Sequence, residues 1–251
     1  MSSTEGQHHE HHYTHAHAHA HGHGHGHHGH HLGITESNKQ HFDENASTFD
    51  EWPRARERAQ RVGVAIREVV PTLNKETTSV LEFACGTGLV AKEVYPYVRS
   101  VVGMDISSGV VELCNKRFKE ELGADEKETY AITANILTDK DILPGKLFDI
   151  VFCSSAYHHF EFPAEITTAL IGFLKPGGAL LVIDQYLKPG EAPPEVPEEH
   201  RHHVTRFGYT EEDMKELLTG VGLEVVSFKE VEKDPQDTNL FIVKAVKPKA
   251  D

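Results

Sequence analysis

The chain has 251 residues, 38% of them hydrophobic, and a formal net charge of -14. That length suits one domain of ordinary size with a tail. The acidic balance, with no dense Lys/Arg run, argues against a nucleic-acid partner, and no apolar run approaches the roughly 18 residues of a membrane span.

Residues 1–36 are low in complexity and hold fourteen of the 20 histidines. From His15 to His31 the imidazoles alternate with Ala and Gly, a composition with no core to bury. This tail is expected to be disordered. Closely spaced imidazoles are good ligands for Zn or Ni, which makes His15, His17, His19, His21, His23 and His25 candidate metal ligands. Three cysteines in apolar surroundings, Cys85, Cys114 and Cys153, suit a reduced chain rather than a disulfide framework. The N-terminus also lacks the apolar core of a signal peptide. A cytoplasmic or nuclear location is expected.

Residues 37–251 form the expected folded domain. Residues 37–70 read as helical, with Val62, Ala65, Ile66 and Val69 at helix spacing and Pro71 as the stop. Phe42, Phe49 and Trp52 could pack on a sheet face or roof a ligand. Strands and helices then alternate. Strands are expected at Ser79–Ala84, Ser100–Asp105, Tyr130–Ala134, Phe148–Cys153 and Ala179–Asp184, with helices at Leu89–Val98, after Ser107 or Ser108, and after Pro163. Such alternation implies a parallel sheet covered on both faces. The Pro-rich segment 185–209 reads as a long surface loop. Thr210-Glu211-Glu212-Asp213 has the form of a capping box, and two final strands around Lys233–Asp237 suit a hairpin.

The stretch Glu82-Phe83-Ala84-Cys85-Gly86-Thr87-Gly88 passes from a buried strand through a glycine turn into a helix. Glycine lets the backbone bend and approach a ligand, and the first amides of the helix face the same place. Gly86-x-Gly88-x-x-Ala91 also satisfies a loose dinucleotide fingerprint. A terminal antiparallel hairpin is not the dehydrogenase pattern, however.

Taken with Val102-Gly103-Met104-Asp105-Ile106-Ser107, Thr133-Ala134-Asn135-Ile136, Phe148-Asp149-Ile150-Val151-Phe152 and Leu174-Lys175-Pro176-Gly177-Gly178, in that order, this stretch resembles the class I S-adenosylmethionine-dependent methyltransferases. The resemblance covers about residues 42–246. It implies a Rossmann-like, doubly wound α/β fold with a seven-stranded sheet ending in an antiparallel hairpin. It also implies S-adenosyl-L-methionine as cofactor and a small molecule as methyl acceptor. Glu82, Ala84, Gly86 and Gly88 would take the methionyl end. Asp105, 19 residues beyond Gly86, would take the ribose hydroxyls, and Ile106 and Ile136 would sandwich the adenine. Asn135 stands where the family usually has Asp; its carbonyl could hold the adenine amino group. Ala84 replaces a usual Gly, which is compatible with a negative φ.

Tyr157, His158 and His159 follow strand four, whose end faces the reacting methyl in this fold. They are the candidate catalytic residues. A neutral imidazole could remove a proton from the acceptor, and only one of two adjacent histidines is expected to point at the site. Alternative readings remain open: methylation of His-rich protein sequence, including the chain's own tail, or metal binding by the tail. The sequence leaves the oligomeric state unknown.

Overall fold

The run Ser79-Val80-Leu81-Glu82-Phe83 is apolar on both faces, and such a strand is stable only when covered on both sides. In the computed structural model, which describes residues 33–191 and 203–249, it forms β1 (Ser79–Phe83) near the middle of a seven-stranded sheet. The expected metal ligands of the tail lie outside the described residues.

The N-terminal segment is helical as expected but broken in two. Helix α1 (Ile34–Asn45) begins three residues before the expected domain start. A 3-10 turn over Ala46–Glu51 follows, and α2 (Ala55–Val69) buries Val62, Ala65, Ile66 and Val69 on one stripe. Helix α3 (Leu89–Val94) is shorter than expected, because Pro96 lies in a closing 3-10 turn over Tyr95–Tyr97. The remaining elements are β2 (Ser100–Asp105), α4 (Ser108–Glu120), β3 (Tyr130–Thr133), β4 (Phe148–Ser154), α5 (Pro163–Gly172), β5 (Leu174–Gln185), α6 (Glu211–Gly220), β6 (Glu224–Glu230) and β7 (Leu240–Val246). The capping box at Thr210 and Asp213 is present.

The sheet order is β3-β2-β1-β4-β5-β7-β6. The first five strands are parallel, and β7 runs antiparallel between β5 and β6. Strand β5 starts earlier than the sequence suggested: Leu174 pairs with Phe148, and the Pro-Gly-Gly stretch becomes an irregularity within the strand. Each face has its own apolar layer, one around Val80, Ile66 and Leu181, the other around Leu81, Leu180 and Phe241. Order reverses between β1 and β4, and a cleft opens outside the carboxyl ends of strands at such a switch.

At that end the N-terminal segment is fastened to the sheet by carboxylates. Asp43 of α1 accepts hydrogen bonds from the Ser107 hydroxyl at 2.6 Å and the Gly109 amide at 3.0 Å. Asp50 accepts from Thr87 Oγ1 at 2.6 Å and pairs with Arg117 of α4. At the opposite end of the sheet Asp149, near the start of β4, is structural: it accepts from Ser79 and Lys175.

Candidate active site

Two adjoining cavities lie at the carboxyl ends of β1, β2, β4 and β5. The first, about 320 Å³, is lined by Asp105, Ile106, Asn135 and Ile136 with Phe42 and Phe49 above them. The second, about 640 Å³, is lined by Glu82, His158, His159 and Gln185, with Trp52 and His203 at its wall. Phe49, Ala84, Gly86 and Ser155 border both.

The first cavity brings together most of the expected cofactor residues. Asp105 is buried at the end of β2. Its Oδ2 accepts from the Gly86 amide at 2.9 Å and its Oδ1 from the Ser107 amide at 3.0 Å. The carboxylate therefore fixes the glycine turn against the neighbouring strand and keeps lone pairs for a ligand. Burial pushes its carboxyl up, against the amides of Ser107, Gly86 and Ile106, which favour the charged form. Asn135 lines the cavity, but its Oδ1 already accepts from the Leu137 amide at 3.0 Å, so it also builds its own turn.

Glu82 is 3% exposed and its Oε2 has no partner among the described residues. Burial pushes its carboxyl well above the usual range, and Asp105 adds to this, while the Ala91 amide and Arg117 act in the opposite sense. A buried carboxylate oxygen without a partner is costly unless something fills the site. Asn38 of α1, which the sequence reading did not single out, is a second such group: it is buried, lines the first cavity, and its Oδ1 is also unpartnered among the described residues. Only its place on a helix roofing the cavity reveals it.

The glycine turn departs from expectation at two residues. Ala84 has φ +54, not a negative value. The usual glycine would meet that backbone without strain, whereas a Cβ there costs on the order of 1–2 kcal/mol. Gly88 borders neither cavity. Its φ is +77, and a Cβ there would stand 2.7 Å from Cys114 Sγ, so Gly88 serves to pack the turn on α4. Gly86, with φ +51, does face the cavities.

The residues after β4 also differ from the reading. Tyr157 is fully buried, its hydroxyl lies 3.0 Å from Thr167 Oγ1, and it lines neither cavity. Burial raises its phenol far above the ordinary value. It is a core residue, because the chain makes a 3-10 turn over Tyr157–His159 that carries the tyrosine inward. The expected divergence of the two histidines fails for the same reason. Both line the second cavity, with ring centroids 4.1 Å apart. His159 Nδ1 lies 2.5 Å from the His203 carbonyl, to which it donates. Its pKa is pushed down to about 3 by burial and by His158, so the ring is neutral. His158 Nδ1 lies 2.7 Å from Asp184 Oδ1.

A methyltransferase-domain family matches residues 36–228. The chain belongs to that family, the class I S-adenosylmethionine-dependent methyltransferases. An uncharacterized methyltransferase of Schizosaccharomyces pombe is 37% identical over 112 residues, 44% of this chain and 39% of that protein. The uncharacterized methyltransferase YcgJ of Bacillus subtilis is 30% identical over 130 residues, 51% of this chain. This methyltransferase chain spans 39% and 47% of the length of these two relatives. Among solved structures, the [4+2]-cyclase SpnF aligns with TM-score 0.69 at 16% identity, covering 87% of this chain and 98% of its own. The N-methyltransferase NodS of Bradyrhizobium japonicum, in complex with S-adenosyl-L-homocysteine, aligns with TM-score 0.63 at 16% identity, covering 84% and 99%. At these identities the likeness is one of fold.

The methyltransferase sheet and its terminal hairpin are therefore as the sequence implied. Among the described residues no group of three or more His, Cys, Asp or Glu is placed to hold a metal ion, and no helix is long and apolar enough to cross a membrane.

Proposed function

We propose that this methyltransferase holds S-adenosyl-L-methionine in the first cavity and moves its methyl group to a small molecule in the second. The observation that carries this reading is the contiguity of the two cavities across Ala84 and Gly86, with two acceptors, Glu82 Oε2 and Asn38 Oδ1, buried along them without a partner among the described residues. The residues fit the cofactor. Asp105 would take the ribose hydroxyls, Ile106 and Ile136 the adenine faces, and Asn135 or Asn38 the adenine amino group. Glu82 and the Gly86 turn would take the ammonium and carboxylate of the methionyl end. When bound, the cofactor supplies a methyl already activated on a sulfonium. The chain's own residues contribute alignment and the exclusion of water.

A small acceptor suits a cavity of about 640 Å³ with aromatic rings in its wall better than a polymer does. Three buried free cysteines suit a reducing compartment such as the cytoplasm. The test is calorimetric titration with S-adenosyl-L-homocysteine. Wild type should bind it, and Asp105→Ala should lose more than about tenfold in affinity, since hydrogen bonds to a charged group contribute about 1.5–3 kcal/mol. Equal affinity in the two proteins would refute the assignment.

A second reading rests on the sequence adjacency of the His-rich run and α1, whose Asn38 and Phe42 line the first cavity. A tail imidazole would then be an acceptor. Intact mass after incubation with cofactor, metal chelated, decides this: methyl additions within 15–31, absent from Asp105→Ala, support it, and an unchanged mass rejects it. Binding of Zn or Ni by the tail is a separate proposal, tested by comparing metal uptake with and without residues 1–31.

A further inference from the structure

Asp184, next to last in β5, has 0% exposure, a buried carboxylate following the apolar run Ala179–Ile183. Burial alone would raise its pKa, but His158 and the amides of Gln185 and His158 more than offset this and hold the carboxyl below its usual range. It is therefore ionised and accepts from its neighbours. One oxygen takes the His158 amide at 3.2 Å; the other takes the Gln185 amide at 2.6 Å and faces His158 Nδ1 at 2.7 Å.

An ionised carboxylate can only accept, so Nδ1 carries the hydrogen. In the neutral ring Nε2 is then the basic atom. Nε2 has no hydrogen-bond partner among the described residues, and it is not sealed in protein, since His158 lines the second cavity. His159 beside it is committed differently: its Nδ1 donates to a carbonyl, and the ring is too weakly basic to take a proton.

We infer that Asp184 and His158 form a proton-accepting pair, and that the acceptor in the second cavity is an aromatic or enolic hydroxyl. This rests on the methyl-transfer reading above. A carboxylate, a thioether or a tertiary amine has no proton to give up, and a buried carboxylate aligning an imidazole would serve nothing. An aliphatic hydroxyl is about as weak an acid as water and holds its proton too tightly for an imidazole to take, whereas a phenol, at about 10, is far more acidic. The wall agrees. Phe49 and Trp52 lie with ring centroids 4.6 Å apart and Phe42 stands edge-on to His159 at 5.8 Å, a setting for a flat ring. In the step, the hydroxyl oxygen forms its bond to the methyl carbon as the carbon–sulfur bond breaks and its electron pair stays on sulfur. The O–H bond breaks, and its proton passes to His158 Nε2. Asp184 stabilises the imidazolium until that proton leaves to solvent. Asp184 touches no substrate and acts as a positioning residue.

The probe is 4-nitrophenol, which turns yellow when ionised, added to enzyme saturated with S-adenosyl-L-homocysteine at a pH where the free phenol is colourless. Wild type should bind and ionise it. His158→Gln and Asp184→Asn should bind S-adenosyl-L-homocysteine with unchanged affinity and leave the probe colourless. Binding without colour in wild type, or no binding of the probe, overturns the inference while the methyl-transfer reading stands. Failure of wild type to bind S-adenosyl-L-homocysteine overturns that reading instead. Nitrogen NMR of labelled histidine in wild type is independent of any variant's folding: His158 should carry its hydrogen on Nδ1, and the Nε2–H tautomer would refute the pair. Once a hydroxylated acceptor is in hand, Asp184→Asn should cost about a hundred- to ten-thousand-fold in turnover, the span of general-base contributions.

Discussion

Asp43 Oδ1 sits 2.6 Å from the Ser107 hydroxyl, so one carboxylate of the N-terminal helix caps the loop that follows Asp105. The helix that roofs the first cavity and the strand end that floors it are thereby held as one body. Burial opposes the charge on Asp43, but Ser107 and the Gly109 amide more than offset it and depress its pKa. A depressed carboxylate stabilises the fold above its unfolded value of about 3.9 and loses that contribution as pH falls through its folded value. The contact is thus intact at neutral pH. Asp43→Ala should cost about 1 kcal/mol in stability, as lost caps do, and weaken S-adenosyl-L-homocysteine binding. Asp43→Asn, which keeps an acceptor, should retain more of both. Melting and calorimetric titration of the two variants check this, and equal losses would show that charge alone matters.

Glu82 should trade stability for binding. A carboxyl whose folded pKa is raised is favoured in its protonated form, so it detracts from stability as pH rises above about 4.3. Glu82→Gln should therefore melt higher than wild type at neutral pH without ligand. With one charged acceptor gone, S-adenosyl-L-homocysteine should bind about 10–100-fold more weakly, equivalent to about 1.5–3 kcal/mol. Melting curves with and without ligand should cross over between the two proteins.

Ala84 is a site of cheap improvement. Its φ of +54 suits glycine, and Ala84→Gly should gain up to about 1 kcal/mol, the left-handed penalty relieved less the extra entropy of an unfolded glycine. Urea denaturation measures it. A loss of stability would mean that the Ala84 methyl packs better than its backbone conformation costs.

His159 makes the fold acid-sensitive. Its folded pKa of about 3 lies below the unfolded value of about 6.5. The unfolded chain therefore takes up a proton in that window and the folded chain does not, and stability falls as pH drops below about 6.5, levelling near 3. His159→Gln should remove up to about 1.4 kcal/mol per pH unit of that slope. The difference between the two proteins in denaturant midpoint, followed from about pH 7.5 down to about 4.5, should widen in favour of the variant as pH falls.

Much of this was legible in the chain. The parallel sheet followed from the βα alternation, and Asp105 and the Gly86 turn announced themselves by spacing, because those features obey short-range rules. The histidines after β4 did not. A 3-10 turn places adjacent rings where a strand would have splayed them, and nothing local in Ser154-Ser155-Ala156 dictates that turn. Asp184 was visible only as the last residue of an apolar strand, and its meaning needs His158 beside it, 26 residues away in sequence. Asn38 likewise becomes notable only when its helix is laid over the sheet. The sign of φ at Ala84 could not be read from the residue, since alanine ordinarily avoids that region.

The two carboxylate fastenings, Asp43 to Ser107 and Asp50 to Thr87 and Arg117, bear on timing. They hold down the segment that carries Phe42 and Phe49, the rings above the first cavity. With the cofactor held in the first cavity as proposed, an exit past those rings would require both contacts to let go. Both contacts are largely shielded from solvent, so salt should leave the cofactor's residence nearly unchanged, while Asp50→Asn should shorten it and make release of product faster.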